Sequence, residues 1–155
     1  MLKILLVYAT NSAGTFVVAD IINNILAKDF SVNMLNASET GLNDADNYDV
    51  IILGSPTWDY GGRDGMPHEM MMELLNKWQH KSLAQKQFAV FGCGDKMFVE
   101  FCAAVDYMEK FIDSAGGRLL LPSLRLNNFF FELDNNTELA KKWAGDLRKK
   151  LSFQA

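Results

Sequence analysis

Short apolar runs alternate with helical patterns along the chain. Residues 2–8 are an apolar run bounded by turn residues, the pattern of a strand buried on both faces. Residues 14–28 place Val17, Ile21, Ile22, Ile25 and Leu26 at helical spacing, with Lys28 near the helix end. Residues 31–35 read as a second strand and 49–53 (DVIIL) as a third. Residues 67–78 read as a helix with Met71, Leu74, Leu75 and Trp78 on one side. A fourth strand covers 87–91 (QFAVF). The next helix, 101–114, stops at Ala-Gly-Gly, a C-terminal glycine signal. Residues 118–124 form a fifth strand, where Pro122 argues for an edge. A last helix over 137–151 stacks Leu139, Trp143, Leu147 and Leu151 at i, i+4.

A β-α alternation repeated in this way predicts a parallel sheet with helices on both faces. The expected fold class is α/β, a three-layer sandwich built as a single domain over 1–155. Ligands of such sheets bind outside the carboxyl ends of the strands, near the switch in strand order. The loops after strands one, three and four should therefore face one site.

Those three loops are also the chemically unusual segments. Residues 8–15, YATNSAGT, carry no charge and open a helix. The exposed N–H groups and the positive dipole end there attract anions. Thr10, Ser12 and Thr15 can add hydroxyls, and Gly14 lets the backbone curl close. A hydroxyl-rich cap that holds nothing is the alternative. No Gly-Lys-Ser/Thr follows, so this is not a P-loop, and the G-x-G-x-x-G dinucleotide pattern is absent. In the second loop, GSPTWDYGG, Trp58 follows a buried strand and precedes Asp59, Tyr60, Gly61 and Gly62. A lone Trp there could cap the core, but its polar, glycine-rich setting favours a stacking surface for a planar ligand on a mobile loop. In the third loop, FGCGDKMFVEFC, Gly92 and Gly94 bend the chain tightly, and Phe98 is a candidate second stacking face.

Composition narrows the picture. The 155 residues are 49% hydrophobic, enough for a real core. The net charge of −4 and pI of about 5.1 argue against nucleic acid as the main partner. The two cysteines, Cys93 and Cys102, suit a reducing, cytoplasmic setting without a disulfide framework. Both read as small packed hydrophobes, since no His partners them for metal. The opening apolar run is too short for a signal peptide, and nothing approaches the ~18 apolar residues of a membrane span. His68 and His80 read as surface residues. Met70, Met71 and Met72 read as core and flank of a helix. Lys141, Lys142, Arg148, Lys149 and Lys150 read as the solvated face of the last helix.

Taken together, YATNSAGT, GSPTW with DYGG, and FGCGDKMFVEFCAAVD resemble the three cofactor loops of the flavodoxin family, over nearly the whole chain. The third is the most specific. No insertion interrupts the fifth strand, so the chain resembles the short-chain type, with five parallel strands in the order 2-1-3-4-5. The resemblance implies non-covalent FMN and a low-potential electron carrier, not an enzyme. Such a carrier uses the semiquinone and hydroquinone states of the flavin, between a reductase as donor and an oxidoreductase as acceptor. It also implies a cytoplasmic monomer without nucleic-acid or membrane partners.

Site roles follow from the same resemblance. Thr10, Asn11, Ser12, Ala13, Gly14 and Thr15 would cradle the phosphate. Pro56, Thr57, Asp59, Tyr60 and Gly61 would line the flavin, with Thr57 toward the ribityl chain or phosphate. Trp58 and Phe98 would cover the two ring faces. Backbone groups of Cys93, Gly94, Asp95 and Cys102 would meet the pyrimidine edge, and the Asp59–Tyr60 peptide would face N5. The chain departs from the family pattern at Ala13 (usually Gly), Phe98 (usually Tyr) and Asp59 (more often Gly or Asn). Its acidity is also milder, and Arg63 and Lys96 fall inside the flavin loops. Rival readings are a flavodoxin-like quinone or flavin reductase, a flavoprotein activator of a metalloenzyme, and a phosphate-switched receiver domain. The last would need an acidic cluster where Thr10 and Ser55 stand.

Overall fold

A computed structural model describes residues 1–10, 13–95 and 101–154. In chain order the elements are β1 (Lys3–Tyr8), α1 (Gly14–Leu26), β2 (Ser31–Asn36), β3 (Val50–Tyr60) and β4 (Arg63–Pro67). There follow α2 (Glu69–Trp78), β5 (Gln87–Gly94), α3 (Ala103–Ser114), β6 (Arg118–Leu119), β7 (Leu124–Asn127) and α4 (Leu133–Ser152). The sheet order is β2-β1-β3-β5-β6, with β7 also on β5 and β4 antiparallel on β3. With β6 and β7 counted as one interrupted fifth strand and β4 set aside, this is the expected order 2-1-3-4-5.

The central strands explain the layers. Side chains of a strand alternate between faces. Ile4, Leu6, Val50, Ile52, Ala89 and Phe91 enter one core with Val18, Ile22, Leu26, Trp143 and Leu147 of α1 and α4. Leu5, Val7, Ile51, Leu53, Phe88 and Val90 enter the other, with Leu74, Leu75, Val105 and Met108 of α2 and α3. Each fully buried aliphatic or aromatic side chain stabilises by about 1.5–3 kcal/mol. The two cores draw on opposite faces of the same strands, and each face has its own set of partners, so the register of the sheet is strongly specified.

The fifth strand differs from its expected span. Phe88 pairs with Leu119 and Phe91 with Leu124, so two extra residues leave the ladder between β6 and β7. Pro122, which has no N–H, sits in this excursion, and its carbonyl accepts from Trp143 Nε1 at 2.9 Å. The first helix buries Val18, Ile22 and Leu26, while Val17, Ile21 and Ile25 only flank the core, and it ends at Leu26. The last helix begins at Leu133, and Leu139 is exposed. An i, i+4 row drifts by about 40° per step in a helix of 3.6 residues per turn. Three steps from Leu151 carry Leu139 out of the seam, and Ala140 and Ala144 take it instead. His68 is half-buried and not a surface residue. Its Nδ1 accepts from the Met70 N–H and caps α2, and its own N–H donates to Ser55 Oγ at 2.9 Å.

Gly54 of β3 lies flat beneath the Phe91 ring, where an added Cβ would stand 1.9 Å from a ring carbon. Gly54→Ala should lower stability by roughly 2–3 kcal/mol, because a core ring has to move. Gly145→Ala, in α4 with nothing within 4 Å of the added Cβ, should raise stability by about 0.5–1 kcal/mol. Urea denaturation of both variants checks the opposite signs.

Candidate functional site

The chain leaves β1, β3 and β5 at one edge of the sheet, and the ladder holds these exits together. Ala9 N–H donates to the Gly54 carbonyl at 2.9 Å, and Ser55 and Pro56 pair with Gly92 and Cys93. The three loops singled out in the sequence therefore start side by side.

The first loop enters α1 through Ala13, which stands in the left-handed region at φ 66, ψ −10. Among the described residues no side chain caps α1 and no acid lies in its first turn, so its leading N–H groups keep their affinity for an anion. Thr10 Oγ1 is buried and has no hydrogen-bond partner among the described residues. A buried hydroxyl left so is destabilising by roughly 1–3 kcal/mol unless a ligand satisfies it. Thr15 is 2% exposed, and a hydrogen bond joins its hydroxyl to the Cys93 thiol of the third loop. Gly14 is covered by Phe129 and Phe130. Asn11 and Ser12 lie outside the described residues.

The second loop is a β-hairpin and not an irregular mobile loop. β3 continues past the parallel sheet and returns as β4, pairing Thr57 with Pro67, Trp58 with Met66 and Tyr60 with Arg63. Gly61 and Gly62 make the turn at φ 60 and 79, the conformation that two-residue hairpin turns require. The register shifts between Trp58 and Tyr60, where Asp59 alone stands opposite Asp64 and Gly65, so the bulge lies in β4, with Gly65 at φ 75. Asp59 itself is not at positive φ, and its Oδ1 accepts from Gly62 N–H at 3.1 Å. Trp58 is 48% exposed, so it presents a face to solvent and does not cap the core. Thr57 Oγ1 accepts from Ala104 N–H at 3.1 Å, which ties the hairpin to the first turn of α3.

The third loop starts at Gly94, where an added Cβ would stand 2.8 Å from the Cys102 nitrogen. No other residue allows this approach of backbone to backbone. Cys102 precedes α3 at φ 49, ψ 28, also left-handed. Cys102 is fully buried and Cys93 half-buried, and both are free thiols packed against the cores. Burial pushes the Cys93 thiol up to about 11, opposed by the Thr15 hydrogen bond. Burial pushes Cys102 up to about 12, with Cys93 adding to the rise. Asp95 is half-buried at the loop start. Phe98 lies outside the described residues, as do 96–100 as a whole.

A fourth segment at the same edge went unrecognised in the sequence, the turn from β7 into α4. Asn128, at φ 50, donates its N–H to the Gly94 carbonyl at 2.7 Å. Phe129 and Phe130 lean on Gly14, and Arg125 reaches Cys102. The Asn-Asn pair at 127–128 was its available signal, since Asn tolerates left-handed backbone at strand ends. Among the described residues no group of three His, Cys, Asp or Glu could hold a metal ion, and no helix is long and apolar enough to cross a membrane.

The family model described as Flavodoxin matches residues 6–143. The chain belongs to the flavodoxin family. It is 37% identical over 132 residues to probable flavodoxin 2 of Bacillus subtilis, covering 83% of each chain. Oxidised flavodoxin 2 of Bacillus cereus superposes with a TM-score of 0.85 at 30% identity, over 96% of this chain and 99% of that one. A Fusobacterium nucleatum flavodoxin bound to flavin mononucleotide has the same fold, with a TM-score of 0.82 at 20% identity, over 97% and 99% of the two chains.

The left-handed Ala13 stands where the family's loop usually has Gly, and its Cβ strains that conformation. Ala13→Gly should stabilise the folded chain by about 0.5–1 kcal/mol, the relief of strain exceeding the added freedom of the unfolded chain. Thermal melting without ligand measures it. The raised thiol values give a second expectation. At about pH 8 both cysteines of the native chain should alkylate at least ~10²-fold more slowly than free cysteine, since so little thiolate forms. Both should react at the ordinary rate once the chain is unfolded.

Proposed function

We propose that the chain holds FMN at this edge and carries single electrons at low potential between a reductase and an oxidoreductase. The carrying observation is the buried Thr10 hydroxyl, unpartnered among the described residues, beside an α1 N-terminus that no described side chain caps, in a chain of this family. These donors fit a phosphate. Thr10, Thr15 and the N–H groups of Ala13 and Gly14 would hold it, with Asn11 and Ser12 completing the loop. No Lys or Arg lies in residues 8–15, so the binding would rest on hydroxyls, amides and the helix dipole.

FMN, when bound, supplies reversible electron transfer at its ring. The chain's own part is to seat the ring and shape its surroundings. Trp58 would cover one face and Phe98 the other. Pro56, Thr57, Tyr60 and Gly61 would line the hairpin side, where the ladder is interrupted at Asp59 opposite the β4 bulge and the Asp59–Tyr60 peptide would face the ring. Backbone groups of Cys93, Gly94, Asp95 and Cys102 would face the polar edge of the ring. An aromatic wall together with an uncompensated phosphate disfavours further negative charge on the ring, which keeps the bound flavin a strong donor. The free thiols suit the cytoplasm, and the reading is of one domain acting as a monomer.

Titration of the purified chain should give one FMN per chain with quenched flavin fluorescence. Trp58→Ala should weaken binding by about 1 kcal/mol or more. A chain that takes up no FMN at micromolar flavin ends this reading. Consumption of NAD(P)H by the purified protein alone would mark an enzyme instead.

A further inference from the structure

Three side chains or backbone groups converge on the start of α3 from other elements. Arg125 reaches across from β7, and its Nη1 donates to the Cys102 carbonyl at 3.2 Å. Its Nη2 donates to the Asp106 carboxylate at 2.7 Å and lies 3.7 Å from Glu109. Both acids are on α3, one and two turns past Cys102. Thr57 takes the Ala104 N–H, and Gly94 lets the Cys102 nitrogen approach.

The placement of this guanidinium is informative. The N-terminus of a helix is the positive end of its dipole, so a cation there is unfavourable. Asp106 and Glu109 face the cation and offset that repulsion. With its charge answered locally, what Arg125 contributes is a directed hydrogen bond. The Cys102 carbonyl, which already accepts from Val105 N–H at 3.0 Å, takes a second donor and its peptide plane is held. That plane follows a left-handed residue, a conformation a side-chain-bearing residue keeps only when its surroundings impose it.

We propose that Arg125 is a positioning residue for the ring-edge loop. Acting through the Cys102 carbonyl, it holds the left-handed Cys102 so that the backbone of Gly94, Asp95 and Cys102 is pre-set for the polar edge of a planar heteroaromatic ring. This rests on the FMN reading above. The phosphate loop opens α1, whereas the groups Arg125 contacts, Cys102, Asp106 and Glu109, stand at the start of α3 and on it. Arg125 therefore serves recognition of the ring and not of the phosphate.

Riboflavin carries the same ring without the phosphate and separates the two. The unsubstituted chain, Arg125→Met, Arg125→Lys and Thr10→Val are titrated with FMN and with riboflavin, and melting of each apoprotein is followed in parallel. Arg125→Met should weaken both flavins by the same factor, roughly tenfold for one charge-assisted hydrogen bond. Arg125→Lys, which keeps one charged donor, should recover part of that loss. Thr10→Val should weaken FMN alone. If Arg125→Met does not fold, Arg125→Lys carries the test with an equal loss for both flavins. Affinities within roughly twofold of the unsubstituted chain in a folded Arg125 variant overturn the proposal, as does a loss confined to FMN. An unsubstituted chain that binds neither flavin overturns the FMN reading, and this proposal with it.

Discussion

Burial of three strands on both faces is the constraint on which the rest of this structure depends. Residues 4–7, 50–53 and 88–91 are without solvent exposure, so their backbone groups have to be paired within the sheet. The chain can leave such strands only at their ends. Parallel pairing then sends every strand-to-helix exit to the same edge. The edge has to be open, because the helices occupy both faces. Position of the site is thus a consequence of how the core is buried.

Close approach at that edge follows from the same packing. Gly54 lies under Phe91, Gly92 under Val105 and Gly94 against Cys102. Each permits a contact that a side chain would prevent, and together they bring the second and third loops onto the sheet. The strain left over is concentrated there. Two of the helices that flank the site open on left-handed, non-glycine residues, Ala13 and Cys102. Both are held by long-range ties. Phe129 and Phe130 cover Gly14 beside Ala13, while Thr57 and Arg125 hold the first turn of α3. Backbone strain persists where surrounding structure over-determines it, and a binding edge is where such residues gather.

Much of this was legible in the chain. Apolar runs at DVIIL and QFAVF, separated by helical stripes, were enough for the layers, because burial on both faces leaves continuous apolar runs. The hydroxyl-rich first loop and the exposed Trp58 were legible as well, since they break the pattern around them. Less legible were features set by partners distant in sequence. Leu139 reads as a seam residue from its spacing, yet Ala140 and Ala144 fill the seam because α1 packs closely there. His68 reads as surface until Ser55 and the start of α2 surround it.

By itself, then, the order of apolar and polar residues determined the fold class and the edge where a ligand would sit, while the sheet order came from the family resemblance of the three loops. Local composition selects strand or helix, and right-handed crossovers leave few ways to join them. Only the tertiary structure decided that the Trp58 loop is a hairpin, that Ala13 and Cys102 are left-handed, and that Arg125 and Asn128 reach Cys102 and Gly94 at the same edge. The hairpin pairs locally, but the other features rest on contacts of α1, α3 and Gly94 with β7 and the turn after it, whose residues are far apart in sequence. Such contacts form only once the sheet has fixed the strands in register.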